Sequence, residues 1–207
     1  MDNSQRRASA ERTTKESQVS VEINIDGTGV ADVQSGCGFL DHMLDALAKH
    51  GLFDLTVRAT GDYHIDEHHT VEDTAIVLGR AFNQALGDKR GINRMGDATV
   101  PLDEALAQVV VDIGGRGYSD IRARFSNPKV GDLSTDLIWH FLDSFAKEAR
   151  LNLHVRLLRG RNDHHRAEAI FKALARALYQ AVTIDPRRAS VLPSTKGSID
   201  KVLGTWL

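Results

Sequence analysis

Residues 140–156 repeat residues 42–58, and residues 164–181 repeat residues 68–85. "HFLDSFAKEARLNLHVR" lies over "HMLDALAKHGLFDLTVR" at an offset of 98, with His, Leu, Asp, Ala, Lys, Leu, Val and Arg in register. A two-residue deletion then changes the offset to 96, and "HHRAEAIFKALARALYQA" lies over "HHTVEDTAIVLGRAFNQA" with His, His, Glu, Leu, Arg, Ala, Gln and Ala coincident. A repeat of this length is too long for a solenoid unit and constrains the chain to two related halves fused in one polypeptide.

The halves have the same pattern of elements. In "VSVEINIDGTG", Val19, Val21, Ile23 and Ile25 alternate on one face, which predicts a strand entering a hairpin at "DGTG". "GFLDHMLDALAKHG" places Leu40, Leu44 and Leu47 at helical spacing, with Gly51 as its stop. "LFDLTVRATG" alternates as a strand, and "HHTVEDTAIVLGRAFNQALG" is a longer amphipathic helix ending at Gly87. Between the repeated helices lie the strand-like runs "VPLDEALAQVVVDIGG" and "SDIRARFS", punctuated by Pro101, Gly114, Gly115, Gly117 and Pro128. The prediction is an α+β fold built by internal duplication, each unit a sheet with helices packed on one face. Residues 1–10 are expected to form a flexible tail, 11–92 the first repeat and 93–207 the second, within one compact fused domain.

Composition excludes several classes. With 42% hydrophobic residues in 207, the chain can bury a sizeable core. A net charge of −2 gives no basic field for nucleic acid or an anionic membrane. Cys37 is the only cysteine, so neither a disulfide framework nor a cysteine zinc cluster can form; it reads as a buried filler in a protein of a reducing compartment. No run is apolar enough for a membrane span or a secretory signal, so a soluble cytoplasmic protein is expected.

The duplication also selects which histidines matter. His42 recurs as His140, His68 as His164, His69 as His165, and Glu72 as Glu168. On a helix, His68 and Glu72 share a face, as do His164 and Glu168, so each pair can grip one ion. Adjacent residues point about 100° apart, so His69 and His165 face elsewhere. Each histidine pair can therefore serve two different ions, with His42 and His140 completing the sets. Sites of about four ligands, mostly imidazole with one carboxylate, suit manganese, iron or zinc better than calcium or magnesium. His64 and His154 lack counterparts and read as solvated strand positions, whereas His50, opposite Glu148, reads equally well as a substrate contact or a helix cap.

A second set of residues suits an anion. "LPSTKG" at 192–197 offers the hydroxyls of Ser194 and Thr195, backbone amides and Lys196 in a turn that a phosphate could occupy. Arg94 in "GINRMGD" and Arg116 in "GGRGY" sit in glycine-rich stretches, and Lys172 shares a helix face with Glu168.

Taken together, "GFLDHML", "DEHHTVEDTAIVLG", "ALGDKRGINRMGDA", "PLDEALAQVVVDIGGRGY", "NDHHRAEAIFKALARAL" and "LPSTKGSI" resemble the imidazoleglycerol-phosphate dehydratase family of histidine biosynthesis, over residues 12–199. The resemblance implies four-stranded sheets backed by helices, homo-oligomeric shells of 24 subunits, sites between subunits and two Mn2+ per active site. It assigns one ion to His68, Glu72, His140 and His165, and the other to His42, His69, His164 and Glu168. It places Arg94, Arg116, Lys172, Ser194 and Lys196 on the phosphate and glycerol portion of the substrate and brings Glu16 of "RTTKES" to the substrate; Thr195 and His50 are candidate substrate contacts on their position in the sequence alone. Three features depart from the family pattern: Asn93 where a second arginine is common, Gly117 where proline is frequent, and a short segment from Tyr118 to Asp136.

The implied reaction dehydrates D-erythro-imidazoleglycerol phosphate to imidazole acetol phosphate. The departing proton is not beside a carbonyl, so the ring must supply the electrons: two ions favour the imidazolate, which expels the hydroxyl as a diazafulvene forms. Glu16 and Glu168 are the candidate acid and base, with metal-bound water as the alternative to Glu168. Two rival readings use the same residues, a dinuclear phosphoesterase and a non-catalytic metal-joined assembly or storage protein. The first usually needs aspartate bridges, and the second has no use for an anion-binding set.

Overall fold

The computed structural model describes residues 6–199. The first half runs β1 (Arg7–Thr13), β2 (Ser17–Asn24), β3 (Ala31–Gln34), α1 (Gly38–Gly51), β4 (Asp54–Gly61) and α2 (His68–Ala85). The second runs β5 (Met95–Leu102), β6 (Ala105–Asp112), β7 (Tyr118–Arg122), a small hairpin β8 (Lys129–Val130) and β9 (Leu133–Ser134), α3 (Thr135–Glu148), β10 (Asn152–Arg159) and α4 (Asp163–Val182). Two four-stranded sheets result, ordered β1-β2-β4-β3 and β5-β6-β10-β7. In each, three strands are antiparallel and the last, β3 or β7, lies parallel to its neighbour.

Each sheet carries its own two helices on one face, and the helices meet between the sheets, α1 against α4 and α2 against α3. The repeat therefore has a packing consequence: each half covers the other's apolar helical faces. Phe82 of α2 stacks edge-on to Phe145 of α3 with centroids 5.8 Å apart, and Phe53 joins them at 6.1 Å. Gly79 permits the close approach of α2 and α3, since a Cβ there would fall 2.8 Å from the Cβ of Glu148. Leu40, Leu44 and Leu47 are all buried, as their spacing predicts.

Four expectations change. β1 begins at Arg7, so residues 7–10 belong to the first sheet instead of a tail: the alternating Ala8 and Ala10 pack on the core while their neighbours face out. Residues 1–5 lie outside the described residues. "DGTG" does not close a hairpin, because β4 inserts between β2 and β3; the hairpin partner of β2 is β1. Gly51 is the last helical residue, and the left-handed turn falls on Leu52 (φ 57°). Gly51 is required for space, since a Cβ there would lie 2.5 Å from the Phe53 ring. Finally, "VPLDEALAQVVVDIGG" is two strands, split at Asp103 (φ 45°) and Glu104.

Strand register extends the duplication beyond what sequence identity reveals. Asn24 pairs with Asp54 and Asp112 with Asn152, and the two sheets stay in step from there to the Val19–Ala59 and Ala107–Leu157 pairs, after which β10 alone shifts register between Leu157 and Arg159. Glu16, in the β1–β2 turn, is thereby the counterpart of Glu104 in the β5–β6 turn.

Candidate metal and substrate site

The early turns of the four helices bring six of the eight repeated donors into two groups. His42 of α1 meets His164 and Glu168 of α4; His140 of α3 meets His68 and Glu72 of α2. Within each group the candidate ligand atoms all lie within 4.8 Å of one another. Glu168 Oε2 is 3.3 Å from His42 Nε2 and 3.2 Å from His164 Nε2. Glu72 Oε1 is 3.0 Å from His140 Nε2. The two groups are repeat images of each other, and each takes one helix from each half.

The donor chemistry fits a metal. His140 Nε2 is buried and, despite its closeness to Glu72, makes no hydrogen bond of acceptable angle. Two polar atoms converging without bonding are the geometry of ligands aimed at a common ion, and an imidazole–carboxylate set suits first-row transition metals.

His69 and His165 belong to neither group. Each is gripped at Nδ1 by a carboxylate: Asp62 at 3.1 Å from His69, Glu104 at 2.8 Å from His165. An Nδ1–H donated to a carboxylate leaves Nε2 as the free lone pair, the usual arrangement behind a metal-binding imidazole. The hydrogen bond to Asp62 raises the pKa of His69, and that to Glu104 raises the pKa of His165. Glu104 is itself held well below the ordinary carboxylate range by His165 and by the backbone N–H groups of Asn162 and Arg161. Glu16 sits on the other side of His69, with Oε2 4.0 Å from Nε2 and a side chain 55% exposed. Sequence reading missed Asp62 and Glu104; the only signal for Glu104 is its strand register with Glu16.

Of the anion-directed residues, Lys172 and His50 lie beside one of the two clusters. Lys172 Nζ is 2.7 Å from Glu168 Oε1, so this carboxylate faces the histidines with one oxygen and the ammonium with the other. Burial raises the Glu168 carboxyl, but Lys172 and His42 more than offset it and its pKa falls. His50, on the last turn of α1, has a pKa lowered by burial and then by the neighbouring Lys172 charge. Arg94 makes a two-pronged pair with Asp112, at 2.6 and 2.9 Å, and donates to the carbonyl of Pro193, tying the glycine-rich 113–117 turn to the "PSTKG" loop. In that loop Ser194 Oγ donates to Ser198 O and accepts from Lys196 N, while Thr195 and Lys196 are exposed. Arg116 is exposed, and its carbonyl accepts from Asn152. His64 is exposed in a turn, and His154 lies on the solvent face of β10.

Hollows of about 500 and 540 Å³ open on the sheets, and neither is lined by a cluster residue. The metal-competent groups are open surfaces in a single chain. No helix among the described residues is long and apolar enough to cross a membrane.

Fold and site together define a class: a fused-duplication α+β protein that presents imidazole–carboxylate groups in a repeat-related pair, one of them against Lys172. The family described as imidazoleglycerol-phosphate dehydratase matches residues 35–178. Dehydratases of that name from Chloroflexus aggregans and Dehalococcoides mccartyi are 59% and 55% identical, over 93% and 94% of this chain and 94% and 98% of theirs. The crystal structure of the Staphylococcus aureus dehydratase superposes with a TM-score of 0.79 at 39% identity, covering 86% of this chain and 99% of that one. The chain belongs to the imidazoleglycerol-phosphate dehydratase family, hydro-lyases of histidine biosynthesis.

Proposed function

We propose that the chain dehydrates D-erythro-imidazoleglycerol phosphate to imidazole acetol phosphate in the cytoplasm, using two manganese ions per site, in a homo-oligomer of 24 subunits whose sites lie between subunits. The observation that carries this reading is the pair of repeat-related three-donor groups, together with His69 and His165 standing outside them, each held at Nδ1 and with only an exposed carboxylate, Glu16 at 4.0 Å or Asp103 at 3.8 Å, near its Nε2. A donor set of four is reached when His165 of another copy joins His68, Glu72 and His140, and His69 of another copy joins His42, His164 and Glu168.

Divalent ions held by these donors would supply Lewis acidity to the substrate's imidazole ring. The chain's own residues do the rest. Lys172, Arg94, Arg116, Lys196 and the hydroxyls of Ser194 and Thr195 offer cationic and hydrogen-bonding groups to the phosphate and glycerol portion, with His50 beside Lys172. Loss of the hydroxyl and of the neighbouring carbon-bound proton needs a group that can exchange a proton at each step, a carboxylate or water. Glu168 is engaged at both oxygens, by His42 and His164 on one side and Lys172 on the other. Glu16 is free and beside His69, so it is the better proton carrier and Glu168 the holding group.

The test is a Mn2+ titration of the metal-stripped chain, read by loss of the free-ion electron paramagnetic resonance signal, alongside an assay of ketone formation. Two ions bound per chain and ketone without phosphate release are expected. Phosphate release in place of ketone, or turnover undiminished in a chain that binds no metal, would sink the proposal.

A further inference from the structure

We propose that residues 126–134 form a clamp that positions the donors of both clusters at once; the inference rests on the metal reading above. In the first half the chain passes from β3 to α1 through residues 35–37, whereas in the second the passage from β7 to α3 takes residues 123–134 and contains the β8–β9 hairpin. The added chain reaches the start of every helix that bears a donor.

At α1, the N-cap Cys37 provides no side-chain cap, and Asp132 supplies it from the other half, accepting from Gly38 N at 2.6 Å and Phe39 N at 2.9 Å. At α2, Glu67 makes no cap of its own; its carboxylate accepts from Ser134 N at 2.9 Å, Ser134 Oγ at 2.5 Å and Lys129 Nζ at 3.1 Å. At α4, Asp163 accepts from Ser126 N at 2.9 Å and from Asn127 N and Nδ2 at 2.8 Å each. At α3, Thr135 donates through N to the carbonyl of Pro128 and through Oγ1 to that of Asn127. His68 follows Glu67 directly and His164 follows Asp163 directly, while His42 and His140 stand within the next two turns of α1 and α3.

One cluster draws on α1 and α4, the other on α2 and α3, so one short segment holds two helices of each. Glu67 and Asp163 are only 7% and 4% exposed, and buried carboxylates satisfied by several N–H donors do not move without losing them. Metal donors tolerate errors of only about 0.2 Å. A displacement of the segment at one helix is therefore transmitted to both pockets, and Glu67, Asp132 and Asp163 are positioning residues that never touch the ion.

The experiment titrates Mn2+ into the metal-stripped full chain, with His42→Ala or His140→Ala as backgrounds that isolate one cluster each. Asp132→Ala, which acts at α1, is expected to weaken both clusters by about tenfold or more, and Glu67→Gln, which acts at α2, likewise. Asp132→Asn, which keeps an oxygen acceptor, should recover most of the affinity. Asp54→Ala is the structural control: it removes a carboxylate that anchors Thr28 N and Val30 N in a turn of the first sheet, and should lower Tm while leaving both affinities unchanged. If Asp132→Ala does not fold, Ser134→Ala tests the same claim with a loss of about threefold at both clusters, roughly the effect of one hydrogen bond. Weakening confined to one cluster, no weakening, or an equal loss in Asp54→Ala would overturn the clamp; a wild-type chain that binds no Mn2+ would instead overturn the metal reading.

Discussion

The two halves keep the same donors and differ in what surrounds them. Beside the cluster of His42, His164 and Glu168 stand Lys172 and His50; the repeat counterparts of these two, beside the other cluster, are Ile76 and Glu148. Arg80 is neutralised by Glu148 at 2.9 Å, whereas its counterpart Arg176 lies over the Tyr179 ring at 5.5 Å. One pocket therefore has an added cationic group and the other an apolar side chain. A substrate with a phosphate at one end cannot use two identical pockets, and the divergence supplies the polarity that the duplication alone would lack.

The counterpart carboxylates in the first turn of each sheet diverge in the same sense. Glu104 is fully committed, to His165 and to two backbone N–H groups, while Glu16 is left open because Asp62 has taken over the Nδ1 of the adjacent histidine. Exchanging the two roles should produce unlike defects. Glu16→Gln is expected to lower kcat by about 10²–10⁴ with metal content intact, the range for loss of a general acid–base group. Glu104→Gln should instead weaken Mn2+ binding by about 10- to 100-fold. Steady-state kinetics with metal analysis on both variants checks this, and similar losses in the same parameter would dissolve the distinction between the halves.

Lys172→Ile copies the apolar neighbour of the other cluster. Loss of a charged hydrogen-bonding group of about 1.5–3 kcal/mol should raise KM by roughly 10- to 100-fold, without lowering Mn2+ affinity. An unchanged KM would remove Lys172 from the substrate's phosphate.

The smallest effect concerns the hairpin that only the second half has. Burial raises the Asp132 carboxyl, but the N–H groups of Phe39 and Gly38 outweigh it and hold its pKa below the ordinary 3.8. A depressed carboxylate stabilises the fold at pH above 3.8 and loses that contribution as the pH falls below it. Asp132→Asn should therefore be less stable than wild type at neutral pH, with the gap closing on acidification below about pH 4. Denaturant unfolding at pH 7 and pH 3 measures the gap, and a gap that widens in acid would contradict the cap.

Much of the site was legible because donors repeat as identities. Four of the eight could be assigned to shared helix faces from spacing alone, since His68 with Glu72 and His164 with Glu168 need only the helical period, while His42 and His140 were marked by the repeat. Asp62 and Glu104 were not legible: they act through a turn and a strand end, where nothing in local spacing ties them to His69 or His165. The β5–β6 break was missed for a similar reason, as Asp103 adopts a positive φ without glycine to announce it.

The sequence by itself determined the duplication, the apolar faces that make each half an α+β unit, and the choice of paired histidines, because those are local periodicities and identities a chain carries before it folds. Tertiary structure alone decided that Asp62 and Glu104 hold the Nδ1 atoms of His69 and His165, and that residues 126–134 reach all four donor-bearing helices. These depend on how two sheets face each other and on backbone groups with no sequence signature, so contacts between residues dozens of positions apart had to form before they existed.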